Sequence, residues 1–142
     1  MRKMKNSKGF TLMEMLIVVA IIAVLIAIAI PTFNASLNKA RVATDEANIR
    51  SGYASVMATV LTADEEIKTE TTYKLKTDGS VYTGTEANAV DYECKGEPKE
   101  NTKVSIAGQD VDAWKTGAKV TYTVKPDGDK LKVEIAVTNP TP

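Results

Sequence analysis

The sequence predicts an α+β fold: a long N-terminal helix, membrane-grade in its first half and kinked near Pro31, whose second half packs on a small antiparallel β-sheet head. Three observations predict it. Every residue from Met15 to Ile30 is apolar. Beyond Pro31 apolar residues recur at three- and four-residue steps, the period of an amphipathic helix. From about Thr71 the period changes to two and Thr, Val and Tyr become frequent, as in strands.

At 142 residues, the chain has room for one globular domain and an appendage. It holds 18 basic and 18 acidic residues, but Arg2, Lys3, Lys5 and Lys8 precede the first acid, Glu14. The remainder is mildly acidic, with Lys and Arg interspersed among Asp and Glu. Phosphate recognition draws on clustered cations, so specific nucleic-acid binding is not expected. Histidine is absent, which removes Ser-His-Asp and Cys-His nucleophile pairs and imidazole zinc sites. No enzyme activity, cofactor or metal is expected. Cys94 is the only cysteine, so no intrachain disulfide can form; it reads as a partly buried small apolar residue.

The first element is the apolar helix. Phe10 to Ile30 is 21 residues, about 31 Å at roughly 1.5 Å per residue, which matches a hydrocarbon core of about 30 Å. Four cations before it and none just after it predict a cytoplasmic N-terminus. Pro31 lacks the amide of an interior helical residue and should bend or loosen the helix just before it. The helix continues amphipathically through Phe33, Leu37, Ala40, Ala47, Val56, Val60 and Leu61 and ends near Thr62 to Glu66. Gly52 weakens it by about 1 kcal/mol relative to alanine. Asn34-Ala-Ser36 has the glycosylation spacing but falls on this helix and reads as incidental.

The sheet follows. Tyr73 to Thr77, Asp78-Gly79 and Ser80 to Thr83 read as a hairpin, because Asp-Gly suits a tight turn that needs positive φ. In a second hairpin Val120, Tyr122 and Val124 alternate with Thr121, Thr123 and Lys125. Pro126-Asp-Gly-Asp129 makes its turn, and Leu131, Val133, Ile135 and Val137 supply the next apolar face. Lys103 to Ile106 adds a further strand, Trp114 reads as a core anchor, and Asn139 to Pro142 is a tail. Between the hairpins, residues 86–101 carry Asp91, Glu93, Glu97 and Glu100. Carboxylates invite a calcium reading, but Lys95 and Lys99 interleave, and a solvated loop is expected.

Glu14 is the informative residue, because an acid near a membrane helix costs a few kcal/mol at the bilayer centre and less toward the interface. A local explanation exists: Thr11-Leu-Met-Glu14 has capping-box spacing, in which both side chains satisfy free amides at a helix start. The whole segment admits three readings. It could be an ordinary secretory signal cut after the small-x-small Ala27-Ile28-Ala29, or a plain single-span anchor; neither needs Glu14. The third rests on Lys8-Gly9-Phe10-Thr11-Leu12-Met13-Glu14-Met15-Leu16, which closely resembles the type III signal of type IV pilins and the related pseudopilins, a match that covers about 25 residues through Pro31.

The resemblance implies that a membrane aspartyl prepilin peptidase cuts between Gly9 and Phe10, and that Phe10 is then N-methylated. It divides the chain into a leader at 1–9, a membrane and filament-core helix at 10–31, the amphipathic half of the helix at 32–66 and the β head at 67–142. A glycine before the cut lets an extended backbone approach a protease closely. After cleavage Phe10 carries an ammonium, with Glu14 one helical turn further on. Meeting of that carboxylate with a neighbouring subunit's ammonium removes two unfavourable isolated charges, so Phe10, Thr11 and Glu14 are the assembly residues. The resemblance further implies a platform protein and an assembly ATPase as partners. The subunit would sit as a single-pass membrane protein before assembly and in an extracellular pilus, a helical homo-oligomer, afterwards. Unlike many pilins, this chain lacks the two cysteines that close a C-terminal loop. A pseudopilin of a secretion or competence apparatus shares the same signal. A membrane-anchored or secreted binding protein or enzyme is the reading from another class.

Overall fold

A computed structural model describes residues 9–63, 67–84, 86 and 88–142. The leader cations Arg2, Lys3, Lys5 and Lys8, and Glu66 at the expected helix end, lie outside the described residues. Two compact units are present, Met1–Ser36 and Leu37–Pro142, and the fold is α+β. One helix, α1 (Leu12–Thr62), runs through both and continues across Pro31.

In the first unit, every residue from Gly9 to Ser36 is exposed. In the second unit, α1 lies on six strands: β1 (Thr71–Leu75), β2 (Val81–Tyr82), β3 (Lys103–Ile106), β4 (Gln109–Asp112), β5 (Lys119–Asp127) and β6 (Lys130–Thr138). They form an antiparallel four-stranded sheet in the order β2-β1-β5-β6 and a separate two-stranded sheet of β3 and β4. Both expected hairpins form. In the first, Lys76 N–H donates to Ser80 O and Gly79 N–H to Lys76 O, closing the Asp-Gly turn. In the second, pairing persists to Asp127↔Lys130, so Pro126 and Asp127 belong to β5 and the turn shrinks to Gly128-Asp129.

Alternation on β5 buries Val120, Tyr122 and Val124 as its period-two pattern requires. The helix face that meets them matches the expected one at Val56 and Val60 and differs elsewhere. Asp45, Ile49, Gly52, Val56 and Val60 are buried, whereas Leu61 is 75% exposed and Ala40 and Ala47 are also exposed. The reason is geometric. Tyr122 is fully buried and its hydroxyl donates to Ile49 O at 2.7 Å. A Cβ on Gly52 would lie 2.2 Å from that hydroxyl. Gly52 is therefore the notch that receives a tyrosine, and its cost to helix propensity is offset by the burial it allows.

A further correction concerns residues 86–101. From Asp91 to Cys94 the segment bridges two strands: Tyr92 N–H donates to Leu75 O at 2.8 Å and Cys94 N–H to Ala118 O at 2.9 Å. Tyr92, Cys94 and Gly96 are buried, so this stretch is a pinned, extended part of the core edge and not a solvated loop. Its Asp91 carboxylate accepts from the Tyr82 hydroxyl at 2.5 Å and from Lys119 Nζ at 3.1 Å.

Two expectations follow. Gly52→Ala should destabilise the protein by roughly 1–3 kcal/mol through overpacking, although alanine favours helix by about 1 kcal/mol. Denaturant unfolding in detergent checks this, and adding Tyr122→Phe should recover part of the loss. The second concerns Glu134, whose carboxyl is held at about 2, first by its bond with Lys132 and then by Lys125. A depressed carboxylate stabilises the fold above its ordinary value of 4.5 and loses that contribution as pH falls through about 2. Over that window the melting temperature should fall less steeply in Glu134→Gln than in the wild type, by a small margin because the pair is exposed.

Candidate assembly site

The helix start is a formed capping box. Thr11 N–H donates to Glu14 Oε2 at 2.8 Å, the Thr11 hydroxyl donates to the same oxygen at 3.1 Å, and Glu14 N–H donates to Thr11 Oγ1 at 3.2 Å. Two amides that the first turn leaves without helical partners are thereby satisfied. All three contacts use one carboxylate oxygen or the threonine hydroxyl, and the carboxylate sits in the first turn, where helix polarity favours negative charge. Within a single chain the local cap is thus what Glu14 makes.

Gly9 and Phe10 precede the helix without regular structure, and Phe10 is 81% exposed. Leu16, Val19, Val24 and Leu25, on different sides of α1, are all more than half exposed. A helix that is apolar on all sides is one whose whole circumference must be buried by something else. It is long and apolar enough to cross a membrane. At its far end Pro31 is followed by Thr32, whose hydroxyl donates to Ile28 O at 3.2 Å, a local bond from side chain to helix backbone.

The second unit contains a polar centre that periodicity alone did not reveal. Asp45 is fully buried and its carboxylate accepts from the Tyr92 hydroxyl at 2.6 Å, Lys95 N–H at 3.0 Å, Gly96 N–H at 2.8 Å and Trp114 Nε1 at 3.3 Å. Asn48 donates to the same tyrosine hydroxyl. One turn pair earlier, Asn38 donates to Glu97 O at 2.8 Å and accepts from Glu97 N–H at 2.9 Å, as a strand neighbour would. A Cβ on Gly96 would lie 2.4 Å from the Val42 amide nitrogen, so only glycine lets the segment lie this close to the helix. The apolar periodicity of the helix marks neither Asp45 nor Asn38 as facing inward. The signal that could have separated them is their seven-residue spacing, which places them on one side of the helix, together with a glycine among the carboxylates of the 86–101 segment.

Burial, and then the nearby Asp45 charge, push the Cys94 thiol up to about 12. Trp114 is buried as expected of a core anchor. Among the described residues no group of three or more metal-ligating side chains occurs.

A helix apolar around its full girth, opened by an acid-bearing cap and continued into the packing helix of an α+β unit, defines a class of helix-anchored subunits. Comparison with known proteins is specific. Residues 4–30 match the family described as the prokaryotic N-terminal methylation motif. The chain is 31% identical to the type IV wide pilus major component PilA4 of Thermus thermophilus, over 98% of this chain and 97% of that protein. No solved structure matches. The chain belongs to the type IV pilin family.

Asp45→Ala should leave four donors around an empty site and destabilise the protein by roughly 3 kcal/mol or more; Asp45→Asn, which keeps one acceptor oxygen, should cost less. Thiol labelling checks this: Cys94 should be inert in the native wild type and reactive in Asp45→Ala under conditions where the rest of the fold persists.

Proposed function

We propose that this chain is a structural subunit polymerised through its apolar helix, after cleavage between Gly9 and Phe10 by a prepilin peptidase and N-methylation of Phe10. The observation that carries this reading is a helix exposed on every side from Leu12 to Ser36, most of which lies within the stretch matched by the methylation motif. Each Leu, Ile or Val removed from water contributes roughly 1.5–3 kcal/mol. Holding one carboxylate in an apolar setting costs a few kcal/mol. Over the whole segment the apolar contribution wins, so the helix moves from bilayer to helix bundle without returning to water.

Glu14 then sets register. Its Thr11 cap already supplies two donors to the carboxylate, and the ammonium of Phe10 on a neighbouring subunit supplies the opposite charge. Cleavage creates that ammonium, so pairing follows processing. The cations among residues 1–9 support a cytoplasmic N-terminus and an exported second unit. Pro31 allows a bend between the segment at 10–31 and the remainder of the helix. A platform protein and an assembly ATPase complete the set of partners. The relative's description as a major pilus component favours a pilus over a secretion pseudopilus.

The N-terminal mass of the protein from its native host tests this. A chain that begins at Phe10 with one added methyl is the expected result; a start at Ile30 would establish an ordinary secretory signal. In the same host, Glu14→Ala should be cleaved normally but enter filaments poorly, as read by filament yield. Unchanged yield would remove the charge pair from the account.

A further inference from the structure

We infer that the exposed side of residues 93–99 is a self-complementary contact surface whose occupant is a second copy of this chain, related to the first by a two-fold axis. Tyr92, Cys94 and Gly96 are buried, whereas Glu93, Lys95 and Glu97 between them are exposed, the alternation of an extended segment. Lys99 is exposed as well. Along that side the charges run minus, plus, minus, plus. A row of this kind is its own complement when reversed. An antiparallel copy sets Glu93 opposite Lys99 of the second copy and Lys95 opposite Glu97 of the second copy, and the two-fold axis repeats each pair. Same-side residues recur at about 6.7 Å in any extended strand, so the two rows match in spacing.

Two independent observations favour a docking surface over a mobile tail. First, the backbone is already fixed. Asp45 accepts from Lys95 N–H and Gly96 N–H, Asn38 pairs with both backbone groups of Glu97, and Cys94 O accepts from Gly117 N–H at 2.8 Å. Little ordering entropy is then lost on docking. Second, the adjoining charges Asp91 and Lys119 are ion-paired within the chain, whereas Glu93, Lys95 and Lys99 make no such pair among the described residues. Glu97 Oε1 accepts from Thr116 N–H at 3.1 Å, which fixes its direction.

Exposed ion pairs are individually weak and are screened by salt. The surface therefore specifies partner and orientation more than it supplies affinity. A two-fold contact is isologous, whereas neighbours along one polar filament meet head to tail, so the contact joins units of different filaments. Repetition along a filament would multiply it; the placement between filaments and this repetition rest on the proposed polymerisation.

Carbodiimide cross-linking of the full processed chain reads the contact directly, using a concentrated equimolar mixture of isotope-labelled and unlabelled protein in detergent micelles. Glu93–Lys99 and Lys95–Glu97 links of mixed isotope are expected, with a yield that falls at raised ionic strength. Lys99→Glu alone should reduce the mixed Lys95–Glu97 link roughly tenfold, because two attractive pairs become repulsive. Glu93→Lys combined with Lys99→Glu should restore it. All of these positions are exposed, so the variants are expected to fold. Links confined to one isotope, or wild-type yield in Lys99→Glu, would overturn the proposal. Should the links persist in protein that never polymerises, the filament reading falls and this surface stands; filaments without the links give the reverse.

Discussion

The rest of the structure depends on an apolar surface that the chain's own folding leaves uncovered. In a water-soluble domain a helix buries one stripe and solvates the other, but here the residues from Phe10 to Ile30 offer no polar stripe to solvate. The cover must come from outside the chain, first lipid and then, in the proposed filament, other copies. Neither environment supplies hydrogen-bond partners freely, which is why the helix start carries its own cap. Thr11 and Glu14 satisfy amides that would otherwise be stranded. A carboxylate held in that way still carries its charge, and that charge is what a neighbouring ammonium could read.

Beyond Leu37 the same helix does a different job. Its inward face mixes apolar residues with a buried acid, and the two do not act alike. Ile49, Val56 and Val60 meet the sheet through packing, while Asp45 gathers four donors, from Tyr92, Lys95 and Gly96 of one segment and from Trp114, all remote from it in sequence. A disulfide would join two points covalently; this carboxylate joins several by hydrogen bonds and is indifferent to redox conditions. Nor does the second sheet stand apart: the Gln109 side chain donates to Val133 O at 2.6 Å and accepts from Ile135 N–H at 3.1 Å, covering part of the free edge of β6.

Residues with strong periodicity were legible in the sequence. The apolar run, the alternation at Val120, Tyr122 and Val124, and the Asp-Gly turns each carry a local physical signal, and the helix and both main hairpins lie where those signals put them. β4 was not legible, because its turn with β3 is Ala107-Gly108. Ala107 takes φ 51, a left-handed conformation that Asn or Asp would have advertised and alanine does not. The inward role of Asp45 and the notch at Gly52 were not legible either, since each depends on a residue more than 40 positions away. Local pattern reads a buried aspartate as solvated and a helical glycine as a weakness; only the facing side chain reverses both. At the site itself, the Thr11–Glu14 spacing announced a cap and the cap is formed, whereas pairing between subunits is a property of more than one chain.

The claim at the centre is that the apolar helix has to be covered by lipid or by copies of itself. Removing detergent from the processed full-length chain and following its mass by sedimentation tests this most directly. The account predicts passage from a micelle-bound subunit to large ordered polymers, with no stable state between them. A soluble monomer that persists in detergent-free buffer with residues 10–30 intact would contradict it.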